Sequence, residues 1–104
     1  MNRKRLEQLL NRITQVRMIV LGDYFLDYYL VIDRSLSEIS LETGLEAYQV
    51  VETRKSPGAA GTVVANLRTL GASVQAIGLV GDDGNGFDLL RGLKEKQVDY
   101  EGMI

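Results

Sequence analysis

Ser56-Pro57-Gly58-Ala59-Ala60-Gly61-Thr62-Val63-Val64-Ala65-Asn66-Leu67 is the stretch on which the reading of this chain turns. Before it, Tyr48 to Thr53 reads as a strand. After it, Ala60, Val63, Val64, Leu67 and Leu70 follow helical spacing. The stretch therefore ends an extended segment, turns sharply and opens a helix. Gly58 and Gly61 leave the turn free of bulky side chains, and the helix start aims backbone N–H groups at whatever occupies it. Gly71 stands where a left-handed helix end is expected.

Elements of the same kind lie on either side. Leu6, Leu9, Leu10 and Ile13 mark one face of an amphipathic helix over residues 3–15. Met18–Leu21 is a continuous apolar run ending at Gly22, as expected of a strand buried on both faces of a parallel sheet. Two strands near residues 28–32 and 47–54 pair as a small separate sheet, with a polar loop over 34–46 between them. Val74–Val80 reads as a further buried strand and Gly81–Gly86 as a loop. Phe87, Leu90 and Leu93 mark a third helix, which Asn85 and Asp88 cap. Val98, Tyr100 and Ile104 begin another strand. The alternation implies right-handed crossovers and an α/β fold with a parallel sheet, flanking helices and a two-stranded β lid.

Composition narrows the chemistry. The 104 residues carry 12 basic and 14 acidic side chains, a balance that argues against nucleic acid or an anionic membrane as partner. Arg3, Lys4, Arg5, Arg12 and Arg17 read as a solvated helix face, since Glu7 and Gln8 interrupt them. With no cysteine and no histidine, thiolate metal sites, cysteine nucleophiles and histidine triads are excluded from these residues. A cysteine-free chain also suits the cytoplasm. No apolar run approaches the roughly 18 residues of a membrane span.

Two phosphate-loop patterns fail. Gly81 to Gly86 has Walker A glycine spacing, but Phe87 stands where the lysine belongs. After the first strand comes Gly22-Asp23-Tyr24, too bulky for the close pyrophosphate approach of a dinucleotide fold.

Three segments in order carry a resemblance. Val20 to Tyr28 is similar to an opening strand with a G-D-x-x-x-D pattern. Pro57 to Ala72 is similar to the signature P-G-G-A-A-N-x-x-x-N-L-x-x-L-G-A. Gly78 to Gly86 is similar to G-x-x-G-x-D-x-x-G. Together they resemble the amino-terminal third of a ribokinase-like (PfkB-type) carbohydrate kinase. The helix before the first strand and Ile39-Ser40-Leu41-Glu42 resemble the heptose-phosphate kinase branch, found as one half of bifunctional ADP-heptose synthases. Two positions depart from the signature: Ala59 replaces its second glycine and Thr62 its sugar-binding asparagine. Asn66 matches a second asparagine of the heptose branch.

The resemblance implies a sugar or sugar-phosphate ligand held by Asp23, Asp27, Gly58, Ala59, Thr62 and Asn66. Carboxylates accept hydrogen bonds from sugar hydroxyls, and ligands of open α/β sheets bind at the carboxyl ends of strands. Each residue also has a plainer reading. Asp23 caps a turn, Gly58 and Ala59 only start a helix, Asn66 is an exposed polar position, and Asp82 and Asp83 are loop and cap residues rather than catalytic acids. Tyr24, Tyr28 and Tyr29 read as lid packing or a dimer face.

The resemblance further implies ATP and Mg2+ for a whole enzyme. It places the catalytic aspartate in a G-A-G-D motif that residues 1–104 do not contain. The expectation is one amino-terminal stretch of a longer domain, stopping inside a strand at Ile104, with lid strands within about 24–54 and an α/β core formed by 1–23 and 55–104. It is expected to bind no cofactor, to be inactive alone, and to form an oligomer through the lid strands. A sugar-binding module without catalysis and a lid-mediated protein-interaction module are the alternatives.

Overall fold

The computed structural model describes all residues 1–104. Helix α1 spans Arg3–Ile13, and the Asn2 side chain caps it by accepting from the Arg5 N–H at 2.8 Å. Strand β1, Arg17–Leu21, follows. A long hairpin comes next: β2, Tyr24–Ile39, and β3, Glu46–Ala59. Helix α2 is Ala60–Thr69, β4 Ser73–Gly78, α3 Gly84–Glu95 and β5 Asp99–Met103. Strands β1, β4 and β5 form a parallel sheet in the order β1-β4-β5, while β2 and β3 pair only with each other, antiparallel. The fold class is the expected one: parallel sheet, flanking helices and a two-stranded lid.

The core forms where one face of β4 meets the helix before it, α2, and the helix after it, α3. Val74 and Ala76 of β4 are buried with Val64 of α2, Leu89 and Leu93 of α3, Ala72, Val98 and Tyr24. The α2–β4 connection is tight because Gly71 takes φ +100°, as its position in the sequence implies. Gln97 makes the same kind of helix exit after α3 at φ +59°.

Several sequence expectations are corrected. Strand β1 is not buried on both faces: Ile19 is 64% and Leu21 77% exposed, since β1 is an edge strand and no helix covers that side of the sheet. The expected loop over 34–46 is strand as far as Ile39, and only residues 40–45 turn. Helix α3 starts at Gly84, inside the expected glycine loop. Its cap is Asp83, which accepts from the Gly86 N–H at 2.8 Å, rather than Asn85 with Asp88. Phe87 does not enter the core and is 66% exposed; Leu89 takes that place. Tyr24 is neither lid packing nor a dimer face, but a core residue. The extended hairpin gives a radius of gyration of 19.3 Å, against about 13 Å for a compact chain of this length. The accessible surface, 7994 Å², exceeds that of a compact monomer of this mass by about 2,000 Å².

Candidate functional site

The candidate residues gather where the hairpin leaves the sheet. Gly22 donates its N–H to the Ile77 carbonyl at 3.2 Å, so the β1–β4 ladder persists to the end of the strand. The Asp23 carbonyl then accepts from the Ala60 N–H at 2.9 Å, joining the end of β1 to the first residue of α2. One pair later Tyr24 faces Ala59, and Phe25 faces Gly58. Asp23 thus lies at the carboxyl edge of the parallel sheet, where the sequence puts it, with its side chain exposed.

Tyr24 fixes this junction from below. Its ring fills the space over Gly78, where an added Cβ would lie 2.7 Å from the ring. Its O–H donates to the Val20 carbonyl at 2.7 Å. Burial pushes the phenol above its ordinary pKa.

Asp27 lies on β2 opposite Ser56, and its carboxylate folds over Gly58. A Cβ at position 58 would stand 2.7 Å from Asp27 Cγ and 2.8 Å from Oδ1. Gly58 is therefore needed for the room it leaves to a carboxylate. The turn itself falls on Ala59, the N-cap of α2, at φ 52° and ψ −118° without a side-chain cap. That conformation favours glycine, which gives a physical reason for the glycine of the signature and marks Ala59 as strained.

Thr62 stands in the first turn of α2 and Asn66 one turn further, both exposed. The structure brings Asp27 over Gly58 and ties the Asp23 backbone to the start of α2 next to Ala59, with Thr62 on the turn that starts there. Asn66 is reached only along the helix, and no hydrogen bond joins it or Thr62 to either carboxylate. Neither Asp23 nor Asp27 enters an ion pair. None of Asp23, Asp27, Thr62 and Asn66 lines a hollow of the surface, so the set lies on an open face. Chemically it offers carboxylate acceptors, one hydroxyl and one amide, and no cation, which suits hydroxyl groups better than phosphate. No three acidic side chains converge as metal ligands.

Sequence reasoning missed two features of the neighbourhood. The Pro57 ring is wedged between two helices, where a Cβ on Gly61 would lie 2.5 Å from Pro57 Cβ and one on Gly92 2.7 Å from Pro57 Cγ and Cδ. A glycine inside the α3 pattern was the available signal, since such a residue usually answers a packing demand. Lys55 of β3 also pairs with Asp88 of α3. Nothing local announces a pair so distant in sequence.

No family model matches the chain. It is 38% identical over 103 residues to "Bifunctional protein HldE" of Syntrophotalea carbinolica, covering 99% of this chain and 21% of that protein. It is 40% identical over 104 residues to the protein of the same name from Pelobacter propionicus, covering 100% and 21%. The chain thus spans about a fifth of the length of the curated relatives it matches. Among solved structures, a putative ribokinase from Agrobacterium tumefaciens superposes with a TM-score of 0.59 at 22% identity, over 85% of this chain and 27% of that one. Halothermothrix orenii fructokinase superposes with a TM-score of 0.55 at 26% identity, over 85% and 28%. No helix is long and apolar enough to cross a membrane.

Proposed function

We propose that this chain, ribokinase-like in fold and similar in sequence to bifunctional HldE proteins, supplies the sugar side of an ATP-dependent carbohydrate kinase, with a heptose phosphate as the substrate. The observation that carries the reading is the placement of Asp27 over Gly58, in the turn whose helix start is bonded to the Asp23 carbonyl at the carboxyl edge of the sheet. Both carboxylates accept from sugar hydroxyls, Thr62 and Asn66 add contacts along α2, and the Gly58–Ala59 backbone forms the floor. Bound ATP supplies the phosphoryl group in such an enzyme, and residues 1–104 hold neither the G-A-G-D motif nor a metal-binding set. The chain alone is therefore inactive in this reading. A cytoplasmic location suits the cysteine-free composition.

Calorimetry with a heptose phosphate, and with fructose and ribose as comparisons, tests the assignment. The expected result is weak binding, with Kd in the millimolar range, about −4 kcal/mol, favouring the heptose phosphate and lost in Asp23→Ala and Asp27→Ala. Binding that survives both substitutions refutes it.

A second proposal concerns the hairpin. Phe25, Tyr29 and Leu30 are exposed on a two-stranded sheet with both outer edges unpaired, and open edges recruit further strands. The surplus surface exceeds the roughly 800 Å² that each partner buries in a standard interface. A homodimer through the hairpin follows from this reading. Sedimentation should show a dimer that Tyr29→Glu dissociates; a monomer at all concentrations overturns it.

A further inference from the structure

Four ion pairs occur in the chain. Arg3–Glu7 and Arg91–Glu95 each lie on one helix, and Arg54–Glu52 lies within β3. Only Lys55–Asp88 crosses from the hairpin to the α/β core, with Nζ to Oδ2 at 2.5 Å. It is also the least exposed, at 33% for Lys55 and 25% for Asp88, whereas the other side chains are at least half exposed. The same ammonium stands 4.5 Å from the ring centroid of Tyr28, its cross-strand partner. The pairing with Asp88 raises the lysine's pKa.

This contact is in register with the proline wedge. Along β3, Lys55 and Pro57 are two residues and about 6.7 Å apart. Along α3, their partners Asp88 and Gly92 are four residues and about 6 Å apart. Strand and helix therefore meet at two matched points. The root of the hairpin is held by Tyr24 and Leu26 on the core and by Pro57 between Gly61 and Gly92. Lys55–Asp88, about 6–7 Å further out along β3, adds the hold on its angle to α3. Ser56, whose cross-strand partner is Asp27, lies between the two points.

We propose that Lys55, steered by Tyr28 and paired with Asp88, is a positioning residue: it latches the hairpin to α3 and so sets where the Asp27–Gly58 unit of the hairpin stands relative to the sheet edge that ends in Asp23. The latch acts on the hairpin angle whatever Asp27 binds, so it is tested without a ligand, and its failure stays distinct from failure of the sugar assignment.

Amide hydrogen exchange on the chain reads it directly. In Lys55→Met and in Asp88→Asn, exchange at Tyr24–Val31 and Glu52–Ala59 should accelerate about threefold or more, while Val74 and Ala76 of β4 stay unchanged. The double variant should be no faster than Lys55→Met, because both single changes remove the Lys55–Asp88 pair. Lys55→Arg, which keeps the charge and the ring contact, should stay near the unaltered chain. Should the variants lose β4 protection too, the unaltered chain decides: at about 1 M salt, where the Debye length falls to about 3 Å, hairpin exchange should accelerate while β4 does not. Hairpin exchange equal in all variants, single effects that add in the double variant, or insensitivity to salt in that last case, overturns the latch.

Discussion

Replacing Ala59 with glycine should stabilise the protein, against the usual sign for such a change beside a helix. At φ 52° and ψ −118° the alanine Cβ is crowded by its own backbone, at a cost of about 1–3 kcal/mol. Glycine removes that strain and is also the better N-cap residue. Its greater freedom in the unfolded chain takes back about 0.4–1 kcal/mol. Ala59 is exposed, so little buried apolar contact is lost. The balance is a gain of about 1 kcal/mol, or a rise in Tm of roughly 4–8 °C for a domain of this size. Thermal unfolding followed by circular dichroism, with a urea titration to confirm an unchanged m value, measures it. Ala60→Gly is the matched control. One residue on, in the first turn of α2, the same change should destabilise by about 1 kcal/mol. If Ala59→Gly lowers the midpoint as its neighbour does, the assigned turn geometry is wrong and the physical reading of the signature glycine falls with it.

Two further expectations rest on the same junction. Gly58→Ala should displace the Asp27 carboxylate and cost about 1–3 kcal/mol, whereas Gly58→Ala with Asp27→Ala should recover most of that loss without restoring sugar binding, as urea midpoints and calorimetry will show. Because the folded-state pKa of Tyr24 is raised, the neutral phenol contributes fully below about pH 10, its unfolded value, and that contribution is lost as pH climbs through the folded value. Tyr24→Phe should therefore cost about 1 kcal/mol at neutral pH, through the bond to the Val20 carbonyl, and flatten the alkaline limb of a stability–pH profile.

The sequence made the alternation of strands and helices legible, because β4, α2 and α3 bury one face each and their periodicities record it. Gly71 was legible as a helix exit because only a positive φ explains a glycine there. Asp23 was legible at the sheet edge because it follows an apolar run that can only be a strand. The far half of the hairpin was not, since residues 34–39 have no buried face to impose alternation, and their polar composition reads as loop. The start of α3 was misplaced because Asp83, Asn85 and Asp88 all have capping chemistry, and only backbone geometry selects among them. The exposure of β1 was hidden for another reason: its residues record a strand meant for two covered faces, while one is covered here. At the candidate site, the sequence named the residues but not the contact of Asp27 with Gly58, which depends on hairpin register.

The Asp23–Ala60 hydrogen bond at the root of the hairpin also bears on how the chain reaches this fold. Arg17 of β1 must find Ser73 of β4 across the whole hairpin, a pairing whose sequence separation slows folding. A hairpin zips locally, within about 1–10 μs. Once Tyr24 has met Ala59, everything from Phe25 to Gly58 drops out of the loop that β1 and β4 have to close. Each halving of that loop saves about 0.6 kcal/mol of closure entropy. The inserted sheet is thus kinetically almost invisible to the parallel core: β1, α2 and β4 assemble as an ordinary short crossover, as though the residues between Asp23 and Ala60 had been spliced out.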